Sequence, residues 1–128
     1  MVTQSGNGSL NTKDDSMNPV TKLLTEAKAL IEDESSWTQK TYARNKKGDA
    51  VDYLSDAATC FCTLGALHKA GENGSDFAEK KVLEIMLAII SEGGFQYISR
   101  FNDAEGRNHE DVLELFDKAI KMTQGEVL

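Results

Sequence analysis

Behind Asn18-Pro19 the apolar residues Val20, Leu23, Leu24, Ala27, Leu30 and Ile31 recur at spacings of three and four, which gathers them on one stripe of a helix. Asn18 is suited to accept from the first free N–H groups, and Pro19 gives up no bond at the first helical position. The pattern therefore predicts an amphipathic helix running to about Asp33. From Ser36 to Asp52 the helical period fails. Lys46-Lys47-Gly48-Asp49 supplies a turn between the segments Thr38–Arg44 and Ala50–Tyr53, which predicts a small irregular hairpin or an extended loop, with Trp37 packed on the body.

Helical patterning resumes at Ser55, which is expected to cap a helix over Asp56–Ala70, with Asp56 beside the positive end of its dipole and Gly71 as its stop. Its middle, Ala57 to Leu67, is rich in small residues almost all round. That composition suits a central helix whose neighbours approach closely at Ala58, Cys62, Gly65 and Ala66. Ser75 is the expected cap of a third helix, Asp76 to about Glu92. The run Val82 to Ile90 within it also suits a buried strand, but the lead-in Phe77, Ala78, Lys80 and Lys81 and the total length favour helix. Gly93-Gly94 ends it, a short helix from Phe95 sets Ile98 and Phe101 on one side, and a turn follows through Asn102–Gly106. Asn108 with Asp111 three residues on resembles a capping box. It opens a last helix, His109 to about Met122, with Val112, Leu113, Phe116, Ala119 and Ile120 as its inner stripe.

Residues 1–18 hold Gly6, Gly8 and several short polar side chains, with only Val2, Leu10 and Met17 as sizeable apolar groups. Such a segment buries too little surface to offset its ordering entropy, so it reads as a disordered tail before a single helical domain over residues 19–124. The fold class is all-α: a compact bundle of four to five helices, with a small irregular hairpin or loop between the first two and a flexible N-terminal tail.

Composition narrows the class further. A chain of 128 residues, 40% hydrophobic and 27% charged, suits one globular domain, and no apolar stretch approaches the roughly 18 residues of a membrane span. Met1 to Leu10 lack the basic and apolar regions of a secretory signal, so the cytoplasm is the expected compartment. The net charge is −7, concentrated after residue 70, where acids outnumber bases. That balance repels nucleic-acid backbones and anionic membranes, leaving a protein as the expected partner. The patterning sets no oligomeric state.

A family resemblance rests on Trp37, Ala43-Arg44, Gly48, the segment Cys62-Thr63-Leu64-Gly65-Ala66-Leu67 and above all the tract from Arg100 through Phe101-Asn102-Asp103 and Gly106-Arg107-Asn108-His109-Glu110-Asp111 to Val112-Leu113. Over about residues 20–122 the chain resembles a family of small bacterial and phage-encoded, all-helical proteins of unknown function. Phe61 stands where the family often has tryptophan, and Asn108 where it has threonine. The resemblance implies a fold and a bacterial or phage origin, without an activity.

Several residue groups have both a chemical and a structural reading. Cys60 and Cys62, two apart on an expected helix, would point roughly 200° apart and read as buried apolar groups rather than as a disulfide or metal pair. His68 and His109 have no metal-spaced partners; His68 suits a helix C-terminus, and His109 is expected to be exposed. Glu110, Glu114 and Asp117 share a helix face that reads as solvated surface rather than as an acid–base pair. Lys40, Arg44, Lys46 and Lys47, interleaved with Trp37 and Tyr42, suit either a phosphate or base grip or a polar loop with Trp37 in the core. Asn102, Asp103, Arg107 and His109 surround a helix N-terminus, which suits either an anion site or a capped turn fixed by an Asp103–Arg107 pair. The leading expectation is a non-catalytic protein-interaction module, with no metal and no cofactor. The alternative is a small-molecule, nucleotide or phosphate-binding protein, with or without catalysis, using Trp37, Arg44, Asn102, Asp103, Arg107 and His109.

Overall fold

The first helix begins where the Asn-Pro pair directs it. In the computed structural model, which describes residues 17–124, Asn18 Oδ1 accepts from the Thr21 N–H at 2.8 Å and Pro19 opens helix α1, Pro19–Leu30. The expectation of a disordered tail falls mainly on residues 1–16, outside the described residues. Helix α1 stops short of Asp33 because Ile31 leaves the helical region and Asp33 starts a separate 3-10 turn, Glu34–Ser36. The backbone N–H of Ser35, at 3.0 Å, and then its hydroxyl, at 2.9 Å, hold the Asp33 carboxyl below its usual range.

The region between the first two helices forms a small three-stranded sheet. Strands β1 (Ala43–Arg44), β2 (Ala50–Val51) and β3 (Cys60–Phe61) lie in the order β2-β1-β3, both pairs antiparallel. Ala43 faces Val51 on one side and Phe61 on the other. The turn at Lys46–Asp49 joins β1 to β2 as the sequence implied, with Gly48 at φ 92° and Asn45 Oδ1 accepting from the Lys47 and Asp49 N–H groups.

The third strand corrects the expected helix over Asp56–Ala70. Ser55 does not cap a helix. Asp52 Oδ1 accepts from the Leu54 N–H at 2.8 Å and Ser55 Oγ from the Ala57 N–H at 3.1 Å, local turns that compete with helix formation. Cys60 and Phe61 then pair with Arg44 and Ala43, and helix α2 begins only at Thr63, running to Gly71. Its N-cap is Cys62, whose Sγ accepts from the Gly65 N–H at 3.2 Å. The two cysteines therefore sit on a strand and at a helix cap; both are free thiols, Cys60 half-buried and Cys62 buried.

Helices α3 (Asp76–Ser91, capped by Ser75), α4 (Ile98–Asp103) and α5 (His109–Thr123) complete the bundle. The apolar run in α3 is helical, with Ala78, Val82, Met86 and Ile90 buried at four-residue spacing. Asn108 and Asp111 form a full capping box on α5. The inner stripe of α5 is Val112, Leu115, Phe116 and Ala119, while Leu113 and Ile120 are only half-buried. Helix α1 packs against α2, α3 and α5, and α3 against α5. Leu24, Ile31, Leu67, Met86 and Phe116 fill the centre, each burial contributing about 1.5–3 kcal/mol.

The two ends of the described chain meet. Thr21 Oγ1 donates to Thr123 Oγ1 at 2.7 Å, both threonines being buried, and Asn18 Nδ2 donates to the Thr123 carbonyl at 2.8 Å. No described helix is long and apolar enough to cross a membrane.

Candidate functional site

Among the described residues the densest polar network is built on Asn102, which is 0% exposed near the end of α4. Its Oδ1 accepts from Trp37 Nε1 at 2.8 Å, from the Thr63 N–H at 2.9 Å and from Thr63 Oγ1 at 2.7 Å. Its Nδ2 donates to the Thr38 carbonyl at 3.1 Å and to Asp103 Oδ1 at 2.9 Å, and its own carbonyl accepts from Gln39 Nε2 at 2.9 Å. One buried amide thus ties the loop after α1, the start of α2 and the end of α4 together. The two bonds from Thr63 are buried, so water cannot replace a missing partner there, and the other four are part-buried.

Asp103 extends the network to the surface. Its Oδ1 also accepts from the Lys40 N–H at 2.9 Å, and Lys40 holds φ 77°, the single positive-φ residue other than glycine among those described. A left-handed lysine is strained backbone, maintained here by the bonds of Gln39 and Lys40 to α4.

Arg107 does not pair with Asp103, as the capped-turn reading had it. Its Nε donates to the Phe101 carbonyl at 2.7 Å, its guanidinium carbon lies 3.7 Å from the Phe101 ring centroid and 5.3 Å from that of Phe95, and Nη1 is 3.6 Å from Asp111 Oδ2. Asp103 is taken up by Lys40 and Asn102 instead. His109 is half-buried rather than exposed: its Nε2 lies 2.6 Å from the Ile31 carbonyl, so this nitrogen carries the proton, and its ring is 6.0 Å from that of Trp37. Arg44 lies apart from Arg107 in its bonding. Its Nε donates to Thr38 Oγ1 at 2.8 Å, Nη1 to the Gly48 carbonyl and Nη2 to the Gln39 carbonyl, each at 3.0 Å. Trp37, Asn102 and Asp103 are therefore joined directly and the His109 ring lies tilted beside Trp37, while the two arginines brace separate loops.

Sequence reasoning missed the partners of His68. Its Nδ1 lies 2.7 Å from Glu79 Oε2 on α3, and its ring meets those of Tyr53 and Tyr42 at 5.2 and 6.0 Å. It also missed the cleft beside the Asn102 network, about 340 Å³ in volume and lined by Lys40, Thr41, Tyr42, Cys62, Ser99 and Asp103. The turn chemistry around Lys40 offered no pattern that would place these residues together. Burial pushes the Cys62 thiol up from its ordinary value of 9.0, so this wall of the cleft is neutral.

Tyr42 stands at the rim of that cleft, 47% exposed, yet its backbone is fixed. Its carbonyl accepts from the Cys62 N–H at 3.0 Å, and Gly65 lies so near it that an added Cβ would collide with the same oxygen. The ring rests edge-on against Tyr53 at 5.7 Å, and Leu54, next in the chain, is 46% exposed. Glu110, Glu114 and Asp117 lie on an exposed face of α5, where Asp117 pairs with Lys28 at 2.8 Å. Among the described residues no group of three or more histidine, cysteine or acidic side chains is arranged to hold a metal ion.

No curated protein and no solved structure is detectably similar to the chain. A family model does match it, over residues 15–122 and hence nearly all of the described bundle, and the chain belongs to that family, a family of unknown function designated DUF6197.

Proposed function

We propose that this protein is a non-catalytic module of bacterial or phage origin, acting in the cytoplasm, that engages a protein partner through the surface around Tyr42 and the adjoining cleft. The observation that carries this reading is the rigid display of Tyr42, with its backbone locked to α2 and its ring against Tyr53, whose chain neighbour Leu54 is exposed. A large aromatic group held in place at a cleft rim loses little freedom on binding, which is the property of residues that dominate protein interfaces. The small-molecule, nucleotide or phosphate reading draws less support, because Arg44 and Arg107 are engaged by carbonyls and rings of their own chain.

A photo-crosslinking side chain at position 42 of the full chain, expressed in the host, tests the proposal. The expected result is one discrete crosslinked protein from position 42 and none from position 121, an exposed site on α5. Leu54→Arg should remove the product while leaving the thermal midpoint unchanged. Equal crosslinking from both positions, or none from position 42, would overturn it.

A further inference from the structure

The cleft beside Tyr42 also bears on the chemistry of what enters it. Asp103 is oriented before any ligand arrives: Oδ1 is held by the Lys40 N–H and by Asn102 Nδ2, each at 2.9 Å, while Oδ2 has no hydrogen bond or ion pair with any described residue. Ser99 lines the same cleft four residues earlier on α4, one helical turn away, and adds a hydroxyl acceptor. Thr41, Tyr42 and the neutral thiol of Cys62 complete the lining without charge. Lys40 also lines the cleft, and it holds Asp103 through its backbone N–H. Its ammonium makes no ion pair among the described residues, and the residue is exposed, so its charge is screened by water.

On the reading of this cleft as part of a recognition surface, we infer that its occupant is a basic side chain of the partner, a lysine or an arginine, with the cationic head on Asp103 and the aliphatic stem against Tyr42 and Cys62. A preset carboxylate with a spare oxygen favours a cation, whereas a carboxylate or phosphate would be repelled and an apolar group would strip water from Asp103 without replacing it. The net charge of −7 steers basic partners toward the chain. The cleft volume of about 340 Å³ leaves room for one long side chain together with the backbone that presents it.

The test is a titration of the ¹⁵N-labelled full chain, followed by amide NMR, with three blocked amino acids as probes: the acetyl N-methylamides of lysine, norleucine and glutamate. The lysine probe should shift the Lys40 amide, which reports on Asp103, and those of Thr41 and Ser99. Norleucine, which keeps the stem without the charge, should bind about tenfold more weakly, and glutamate should cause no saturable shift. Asp103→Asn retains an acceptor oxygen for Lys40 and should abolish the lysine response, while Lys40→Gln, which removes a repelling charge, should strengthen it. Norleucine equal to lysine, preferential binding of glutamate, a weaker lysine response in Lys40→Gln, or no shift with any probe would each overturn the inference. Crosslinking from position 42 without a lysine response would sink the cationic occupant and leave the recognition surface standing. A lysine response without crosslinking would do the reverse.

Discussion

The side-chain oxygen of Asn102 lies 2.8 Å from the indole nitrogen of Trp37, across 65 residues of chain, and the same oxygen receives both the N–H and the hydroxyl of Thr63. With two lone pairs and three donors the acceptor is saturated. Asn102→Ala would orphan all three donors, the two of Thr63 in buried bonds, and should destabilise the protein by about 3 kcal/mol in urea denaturation. Asn102→Asp keeps the acceptor but loses the donor to Thr38 and buries a second carboxylate beside Asp103, so it should be no milder at pH 7. A loss below about 1 kcal/mol for either variant would show that the network does not organise the loop.

Gly65→Ala is a test in which two local effects oppose each other. Alanine is favoured over glycine by about 1 kcal/mol in a helix interior, and by less in the first turn, where Gly65 sits. The new methyl would run into the Tyr42 carbonyl, which is itself bonded to the Cys62 N–H and has little room to retreat. Overpacking against fixed backbone costs roughly 1–3 kcal/mol, so the net change should be destabilising. A midpoint raised in chemical denaturation would mean that β1 and α2 can part without cost.

Replacing Arg107 should expose its bracing role. The alanine variant loses the bond to the Phe101 carbonyl, the stacking on Phe101 and Phe95, and the partly exposed pair with Asp111, together about 1–2 kcal/mol. Lysine, which lacks the planar face, should recover only a fraction of this. Calorimetric titration with phosphate or nucleotides should show no binding to wild type or variant. Micromolar phosphate binding lost in Arg107→Ala at unchanged stability would transfer the functional centre to the turn before α5.

The two thiols should differ sharply. Cys60, half-buried on β3, should react with a thiol reagent in the folded protein, whereas Cys62 should react in a Cys60→Ser background only as fast as the domain opens. Because burial raises the Cys62 pKa above its unfolded value, its contribution to stability is complete below pH 9.0 and is lost as the pH climbs from there toward the folded value. Cys62→Ser should flatten that alkaline decline in a pH series of denaturation midpoints. An unchanged slope would assign the decline to other groups.

Helices α1, α3 and α5 were legible because each carries its own start signal and a periodic apolar face. The stretch from Ser55 to Cys62 misled for a physical reason. Small residues such as Ala57, Ala58 and Cys60 suit helix and extended chain alike, and the choice was made by Arg44 and Ala43, strand partners that no local pattern reveals. Among the candidate site residues, Asn102 and Trp37 could be singled out but their union could not. It depends on α4 bringing residue 102 against a loop 65 positions earlier, with Thr63 as the third member. The Lys40–Asp103 cleft follows from that same closure, so it was hidden for the same reason.

The clasp between Thr21 and Thr123 spans 102 residues, nearly the whole described chain. Helix α1 buries its stripe chiefly against elements made after it, and its start is held by the last turn of α5. During synthesis, therefore, α2 and α3 can cover part of the apolar face of α1, while its start stays unfastened until Thr123 is in place. Closure of the domain is thus a late event of folding, and a chain cut before Thr123 would leave that end of the first helix loose.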